Sequence, residues 1–351
     1  MKKAQIYNLI IVDESGSMSP LHRATLTGIN ETLNTIRQAQ KDYADTQEHW
    51  LTLVLFDTSG GIRTVIDCQP IGQVGEFTDY SPCGATPLYD AMGISLTSLQ
   101  ARIRGNADAA AVVTVLTDGL ENASREWNAT RLRTLIEQLK AEGWSFAYMG
   151  SAHNVKDVTQ LLSIDHAVEF DHNDRGTGSS WGYESGNRRA YYRKMSEAYS
   201  HGNMSRDELM RRKRQFASEY AGKRVTPPHI TQLEPNEVFV FGSNAEGHHG
   251  GGAAAFAMHH FGAVWGQGEG MQGQSYALPT MGGLTALSEA VHRFTQYAEA
   301  NPNRRFLVTA VGCGIAGYPA SDIAPLFRNC INLENVTLPA EFWQELGLKM
   351  S

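Results

Sequence analysis

IVDESGSMSP, residues 11–20, closes an apolar run that begins at Ile6 (IYNLIIV, 6–12). A chain that leaves a buried strand and at once presents Asp13, Ser15 and Ser17 at every second position does one of two things. It makes a turn, since Asp and Ser side chains hydrogen-bond nearby backbone. Or it gathers oxygen ligands for a hard cation such as Mg2+. The surroundings bear on the choice. Three more short apolar runs follow in the first half: HWLTLVLFD (49–57), AVVTVLTDG (111–119) and WSFAYMG (144–150). Between them lie helical patterns such as PLHRATLTGINETLNTIRQAQ (20–40) and NATRLRTLIEQLKAEG (128–143). Nearly continuous apolar strands alternating with helices predict a parallel sheet covered on both faces. GIRTVIDCQ (61–69) alternates and follows a turn, so it reads as an antiparallel edge strand. Ligands of open parallel sheets collect beyond the carboxyl ends of the strands, where Asp13, Asp57, Asp118 and Gly150 fall.

The totals bound the function. The chain has 351 residues, enough for two domains. Its net charge of -7 argues against a dominant nucleic-acid footprint. Its 4 cysteines form no CxxC pair, which argues against a zinc ribbon or a disulfide framework. The basic start with its short apolar run reads as a first strand rather than a secretory leader. No stretch has the length of a membrane span. The expectation is a cytoplasmic protein with no membrane partner and no nucleic-acid partner.

A further set of oxygens lies downstream. CGATPLYDAM (83–92) puts Thr86 in a loop before a helix, and LTDGLEN (116–122) puts Asp118 at a strand end. Asp13-x-Ser15-x-Ser17, Thr86 and Asp118, each in a strand–loop–helix context, resemble the metal-ion-dependent adhesion site of a von Willebrand factor A domain of the bacterial TerY-like type. The resemblance covers residues 1–172. It implies that Asp13, Ser15, Ser17 and Thr86 hold a cation directly or through water and that Asp118 does so mostly through water. The cation is Mg2+ or another divalent ion such as Mn2+ or Ca2+, and an acidic residue of a protein partner completes its coordination. Asp57 reads as a turn residue or a support behind the ligands, and Glu121 and Asn122 as neighbours of the site outside the ligand set.

From residue 173 the texture changes. DHNDRGTGSSWGYESG (171–186) is polar and rich in glycine and serine, and reads as a loop. A basic stretch follows, with two helices expected around a break at SHGN (200–203) and Ser205 as an N-cap. Residues 173–228 are therefore expected to be a polar loop and basic helical linker, or a helical extension packed on the first domain.

The second half restarts with EVFVFGSN (237–244), QSYALPT (274–280) and FLVTAVGCG (306–314), separated by helical stretches. Two of these strands run into glycines ahead of a helix. Such turns let backbone approach a ligand, and exposed N–H groups with a helix N-terminus attract phosphate. The order resembles a macro domain, an ADP-ribose-binding module, over residues 229–351. The resemblance assigns Gly242, Ser243 and Asn244 to the strand-end ribose contact and Gly250, Gly251 and Gly252 to the first phosphate loop. It assigns Gly312, Gly314, Ile315, Ala316, Gly317 and Tyr318 to the second. HITQLEPNEVFVF (229–241) resembles the family's opening strand, with His229 where the family has an adenine-recognising Asp. The implied ligand is ADP-ribose, a cyclic or phosphorylated relative, another nucleotide diphosphate, or an ADP-ribosylated substrate. His249, with Glu246 three residues before it, could supply an acid/base pair near a ribose.

The expected fold class is α/β in two domains, a Rossmann-like von Willebrand A-type doubly wound sheet and a smaller macro-like three-layer α/β/α domain. The expected function is metal-dependent protein interaction coupled to recognition of an NAD-derived nucleotide. The competing expectations are an ADP-ribosyl hydrolase recruited by the first domain and a phage- or stress-associated assembly factor.

Overall fold

The computed structural model describes residues 2–151, 155–200, 204–220 and 224–349. The chain divides into two compact units, Met1–Gly222 and Lys223–Ser351.

The first unit is built on β1 (Ala4–Asp13), α1 (His22–Asp42), β2 (Gln47–Phe56), β3 (Ile62–Pro70), α2 (Leu88–Ile103), β4 (Ala109–Thr117), α3 (Ala129–Ala141), β5 (Ser145–Ser151), α4 (Val155–Leu162), β6 (Ala167–Phe170), α5 (Asp174–Ser200) and α6 (Arg206–Ser218). Its strands run in the order β6-β5-β4-β1-β2-β3. All neighbours pair parallel except β2 and β3, so the alternating segment at 61–69 is the antiparallel edge strand expected of it. Asp13 lies opposite Phe56, and Thr117 opposite Gly150, so the strand ends that carry polar residues share one edge of the sheet. The two faces of β1 differ in chemistry. Leu9 and Ile11 join Val113, Val115, Leu96, Leu132 and Ile136 in an apolar cluster under α2 and α3. Asn8 points the other way, to α5, where it accepts from Arg188 Nη1 at 2.8 Å.

α5 is the main departure from expectation. The stretch 174–186 is not a loop but the first half of a 27-residue helix, most of whose side chains are buried. Asn173 caps it, its Oδ1 accepting from Gly176 N at 2.9 Å. Its glycines and serines are what close packing needs. A β-carbon on Gly28 of α1 would lie 2.0 Å from the Trp181 ring, so α1 and α5 touch at a point where only glycine fits. α6 docks by one of its basic residues. Lys213 is buried and donates to the carbonyls of Ala107 and Ala109 at 2.7 Å each, and burial pulls its ammonium down to about 8. Residues 173–228 are thus not a linker. Most of them are a helical extension of the first unit, and the boundary falls at 222/223 instead of 172. Ser205 caps α6 as expected, accepting from Glu208 N at 3.2 Å. The break expected at SHGN falls on residues 201–203, which lie outside the described residues.

The second unit contains β7 (Glu237–Ser243), α7 (Gly252–His260), β8 (Gly270–Gln272), β9 (Ser275–Pro279), α8 (Leu284–Ala300), β10 (Arg305–Val308), the short α9 (Ala320–Ile323), β11 (Val336–Thr337) and α10 (Ala340–Glu345). Its sheet order is β11-β10-β7-β9-β8, parallel throughout except for β8 against β9. Phe239 and Phe241 pack with Ala254, Ala257 and Phe261 on the α7 side. On the α8 side Phe294 meets Tyr276 and Phe306, with ring centroids 5.1 and 5.5 Å apart. The unit is therefore a three-layer α/β/α arrangement, and the α/β fold class expected for both halves holds. Residues 229–236, read as part of an opening strand, have no regular structure ahead of β7.

Candidate metal centre and glycine-loop cleft

The oxygens of the first unit converge at the carboxyl edge of its sheet. Asp13 ends β1 with its side chain fully buried. Its Oδ1 accepts from Ser15 N at 2.8 Å, and its Oδ2 accepts from Thr117 Oγ1 at 2.5 Å. Ser15 Oγ lies 3.1 Å from Ser17 Oγ, and Ser17 Oγ donates to Asp118 Oδ1 at 2.6 Å. Thr86 joins through Gly119. A β-carbon there would lie 3.3 Å from Thr86 Oγ1 and 3.8 Å from Ser17 Oγ. All five residues singled out in the sequence thus meet in one place, with Ser17 on the exposed side. Burial, with Asp118 nearby, raises the Asp13 carboxyl to about 6 despite the donors from Thr117 and Ser15.

The loops are held by residues that the sequence reading left outside the site or did not weigh. Glu14 is buried and ties two loops together, accepting from Arg63 Nη2 and Ser81 N at 2.6 Å each. Asn122 clamps Thr86, its Oδ1 accepting from Thr86 N at 2.9 Å while its own N donates to Thr86 O at 3.2 Å. Glu121 accepts from Tyr89 N at the start of α2, at 2.8 Å. Asp57 serves its own turn, accepting from Ser59 N and Gly60 N. His172, just past β6, was missed altogether. Its Nε2 lies 2.8 Å from Asp118 Oδ2. The only available signal was position, since it follows a strand end on the edge that carries the other site residues.

The donor set suits a hard divalent cation. Among the described residues no group of three or more His, Cys, Asp or Glu could hold a metal. What the site offers instead is two carboxylates, neither more than 1% exposed at the side chain, with three hydroxyls beside them. Oxygen ligands of this kind fit Mg2+, Mn2+ or Ca2+ better than softer ions.

In the second unit the two glycine loops face one another. A β-carbon on Gly242 would lie 3.6 Å from Gly312 N, and one on Gly251 would lie 4.0 Å from Ile315 Cδ1. Gly312 and Gly317 have φ of +79° and +74°, the left-handed backbone a second tight loop requires. Gly314, Ile315 and Gly317 are exposed, while Ala316 and Tyr318 are half-buried. Asn244 Oδ1 accepts from His248 N at 2.8 Å and so fixes the first loop. Gly250, Gly251 and Gly252 are exposed at the start of α7. Beside that helix start lies a cavity of about 620 Å3 lined by His229, Ile230, Phe239, Gly252, Phe256 and Glu341, among others.

The expected acid/base pair does not form. His249 is fully buried, 3.4 Å by Nδ1 from Ser243 Oγ and edge-on to Phe241. Glu246 is exposed, and no hydrogen bond or ion pair joins the two among the described residues. Gly247 turns the chain between them with φ of +70°.

No family model matches the sequence, and no curated protein matches it. Among solved structures the chain is similar to the VWA domain of SpRpn10, at 11% identity over 50% of this chain and 93% of that one, with a TM-score of 0.39. It is similar to the pilus adhesin SpaC of Lactobacillus rhamnosus GG at 14% identity, over 57% of this chain and 31% of that one, with a TM-score of 0.41. It is also similar to the manganese-loaded TRAP protein of Plasmodium vivax at 18% identity, over 48% of this chain and 69% of that one, with a TM-score of 0.34. This chain spans less than a third of the length of SpaC. No helix among the described residues is long and apolar enough to cross a membrane.

Proposed function

We propose that the first unit is a metal-dependent protein-interaction module of the von Willebrand A type. Asp13, Ser15, Ser17, Thr86 and Asp118 hold Mg2+, or Mn2+ or Ca2+ in its place. The bound cation supplies a Lewis-acid position at which an acidic side chain of a protein partner is captured. The observation that carries this reading is the contact of Ser17 Oγ with Asp118 Oδ1 across 101 residues of sequence, beside buried Asp13. Two buried carboxylates facing each other are costly without a countercharge.

A divalent cation is expected to raise the unfolding midpoint of the full chain, since a ligand held only by the folded state stabilises by about 2.7 kcal/mol at a hundredfold excess over Kd. Thermal unfolding with Mg2+, Mn2+ and Ca2+ checks this. The metal reading fails if none of the three shifts the wild-type midpoint, or if Asp13→Ala responds as wild type does.

The second unit is read as the nucleotide-recognition half, for ADP-ribose or a related NAD-derived nucleotide. What supports this is the 620 Å3 cavity beside the N-terminus of α7, which Gly252 lines, and, separately, the approach of the two glycine loops to each other. Glu341 and His229 supply polar groups on a wall otherwise rich in Phe, Pro and Ala. The hydrolase alternative has no comparable support, because His249 and Glu246 do not meet. Gly251 has φ of -161°, which any residue adopts, so Gly251→Asp places a carboxylate beside the α7 start without backbone strain. Saturable ADP-ribose binding without product is expected by calorimetry, at least tenfold weaker in Gly251→Asp. An unchanged affinity in that variant would remove the glycine loops from the reading.

A further inference from the structure

We infer that His172 is a positioning residue of the metal centre, resting on the metal reading above. Asp118 has a side chain only 1% exposed, and both of its oxygens are engaged. Ser17 Oγ donates to Oδ1 at 2.6 Å, and the imidazole Nε2–H of His172 donates to Oδ2 at 2.8 Å. A carboxylate held at both oxygens has one orientation. A carboxylate held at one swings about its last torsion, which is broad for Asp. The imidazole therefore fixes the direction in which Asp118 presents its charge.

The backbone that carries His172 is held firmly. It stands in the turn between β6 and α5, where Asn173 caps the helix and donates from its own N to Asp171 O at 2.7 Å. Gly176 packs so closely that a β-carbon there would lie 2.2 Å from Asp171 O. The turn cannot shift without breaking the cap. Its side chain is 36% exposed, so the ring reaches from the surface side into the site instead of forming part of the core. The packing of the first unit needs no such bond, since β6, α5 and the cap are complete without the ring. Groups that hydrogen-bond a ligating carboxylate tune metal affinity by about 10–100-fold. The ring is not assigned as a ligand. Its Nε2–H is used by Asp118, and the site's other donors are all oxygens.

The test is calorimetric titration of Mn2+ and Mg2+ into the metal-free full chain, with the metal-free unfolding midpoint read alongside. His172→Ala is expected to weaken cation binding by about 10–100-fold while leaving the metal-free midpoint within a few degrees. His172→Gln, which keeps an N–H donor at similar reach, is expected to recover most of that affinity. Wild-type binding with His172→Ala equal or tighter overturns the positioning role alone, and tighter binding would mean that the ring competes with the cation. Loss of affinity that His172→Gln does not recover also overturns it. Absence of any wild-type cation binding overturns both this inference and the metal reading.

Discussion

Replacing Arg188 with Met is expected to cost about 3–5 kcal/mol of stability, the range found when one partner of a buried ion pair is removed. Arg188 is fully buried on α5, under the sheet. Its Nε donates to Glu184 Oε1 at 3.0 Å, Nη1 to Asn8 Oδ1 at 2.8 Å and Nη2 to Thr114 Oγ1 at 2.7 Å. Glu184, also buried, accepts at the same Oε1 from Thr114 Oγ1 and from Tyr220 Oη, at 2.5 and 2.8 Å. The network thus joins β1, β4, α5 and the chain just past α6. Burial raises the Glu184 carboxyl, and Arg188 is the main group opposing that rise. Without the guanidinium, Glu184 is left as an uncompensated buried charge or takes up a proton, and Asn8 and Thr114 lose a donor. Urea unfolding of the full chain measures the loss. The double variant Glu184→Gln, Arg188→Met removes the charge as well and is expected to recover more than half of it. A single variant within 1 kcal/mol of wild type would mean that α5 is held by its small-residue packing and not by this network.

That network explains why half of the first unit's architecture was legible and α5 was not. The strands ending at Asp13, Phe56, Thr117 and Ser151 announce themselves by apolar runs, because both faces of a parallel sheet are covered. The metal-site residues are legible for a related reason. Each stands within a few residues of a strand end or helix start, so local sequence places it on the edge. α5 obeys a different rule. It meets the sheet through Glu184, Arg188 and Tyr192 and meets α1 where Gly28 faces Trp181. Its buried face is therefore written in charged, small and polar residues, which in a single sequence look solvated. Periodicity of apolar residues cannot find such a helix. His172 escaped because nothing in its local sequence points to its partner. Its partner is 54 residues away, and only the order of β4, β5 and β6 brings them together.

The second unit divides along similar lines. Glycines mark both loops, and the loops do face each other. Whether a histidine of the first loop faces inward or outward cannot be read from spacing, because three residues in a turn fix no direction. The loop turns at Gly247, with Glu246 in solvent on one side of it and His249 buried on the other. An acid/base pair assigned to Glu246 and His249 by adjacency in sequence therefore does not survive the fold.

Asp13 provides the sharpest coupling between the fold and its proposed ligand, because the same burial that builds the site opposes its charge. Burial raises the folded-state value to about 6, against about 4 for an unfolded chain. The folded protein then binds the Asp13 proton more tightly than the unfolded one does. This contribution to stability is present below about pH 4 and is lost as pH rises through about 6, a total of about 3 kcal/mol. Metal-free wild type is thus expected to lose stability relative to Asp13→Asn between pH 4.5 and 7.5, because the variant has no proton to lose there. A divalent cation reverses the sign, since its charge favours the ionised carboxyl that burial disfavours. With saturating Mn2+ the wild type is expected to overtake Asp13→Asn at pH 7.5 and to show little advantage at pH 4.5. Urea unfolding of both proteins at pH 4.5 and 7.5, with and without the ion, reads the values needed. A metal-free difference that does not change with pH would mean that Asp13 is ionised throughout, and that Ser15 N and Thr117 Oγ1 suffice to hold its charge without a cation.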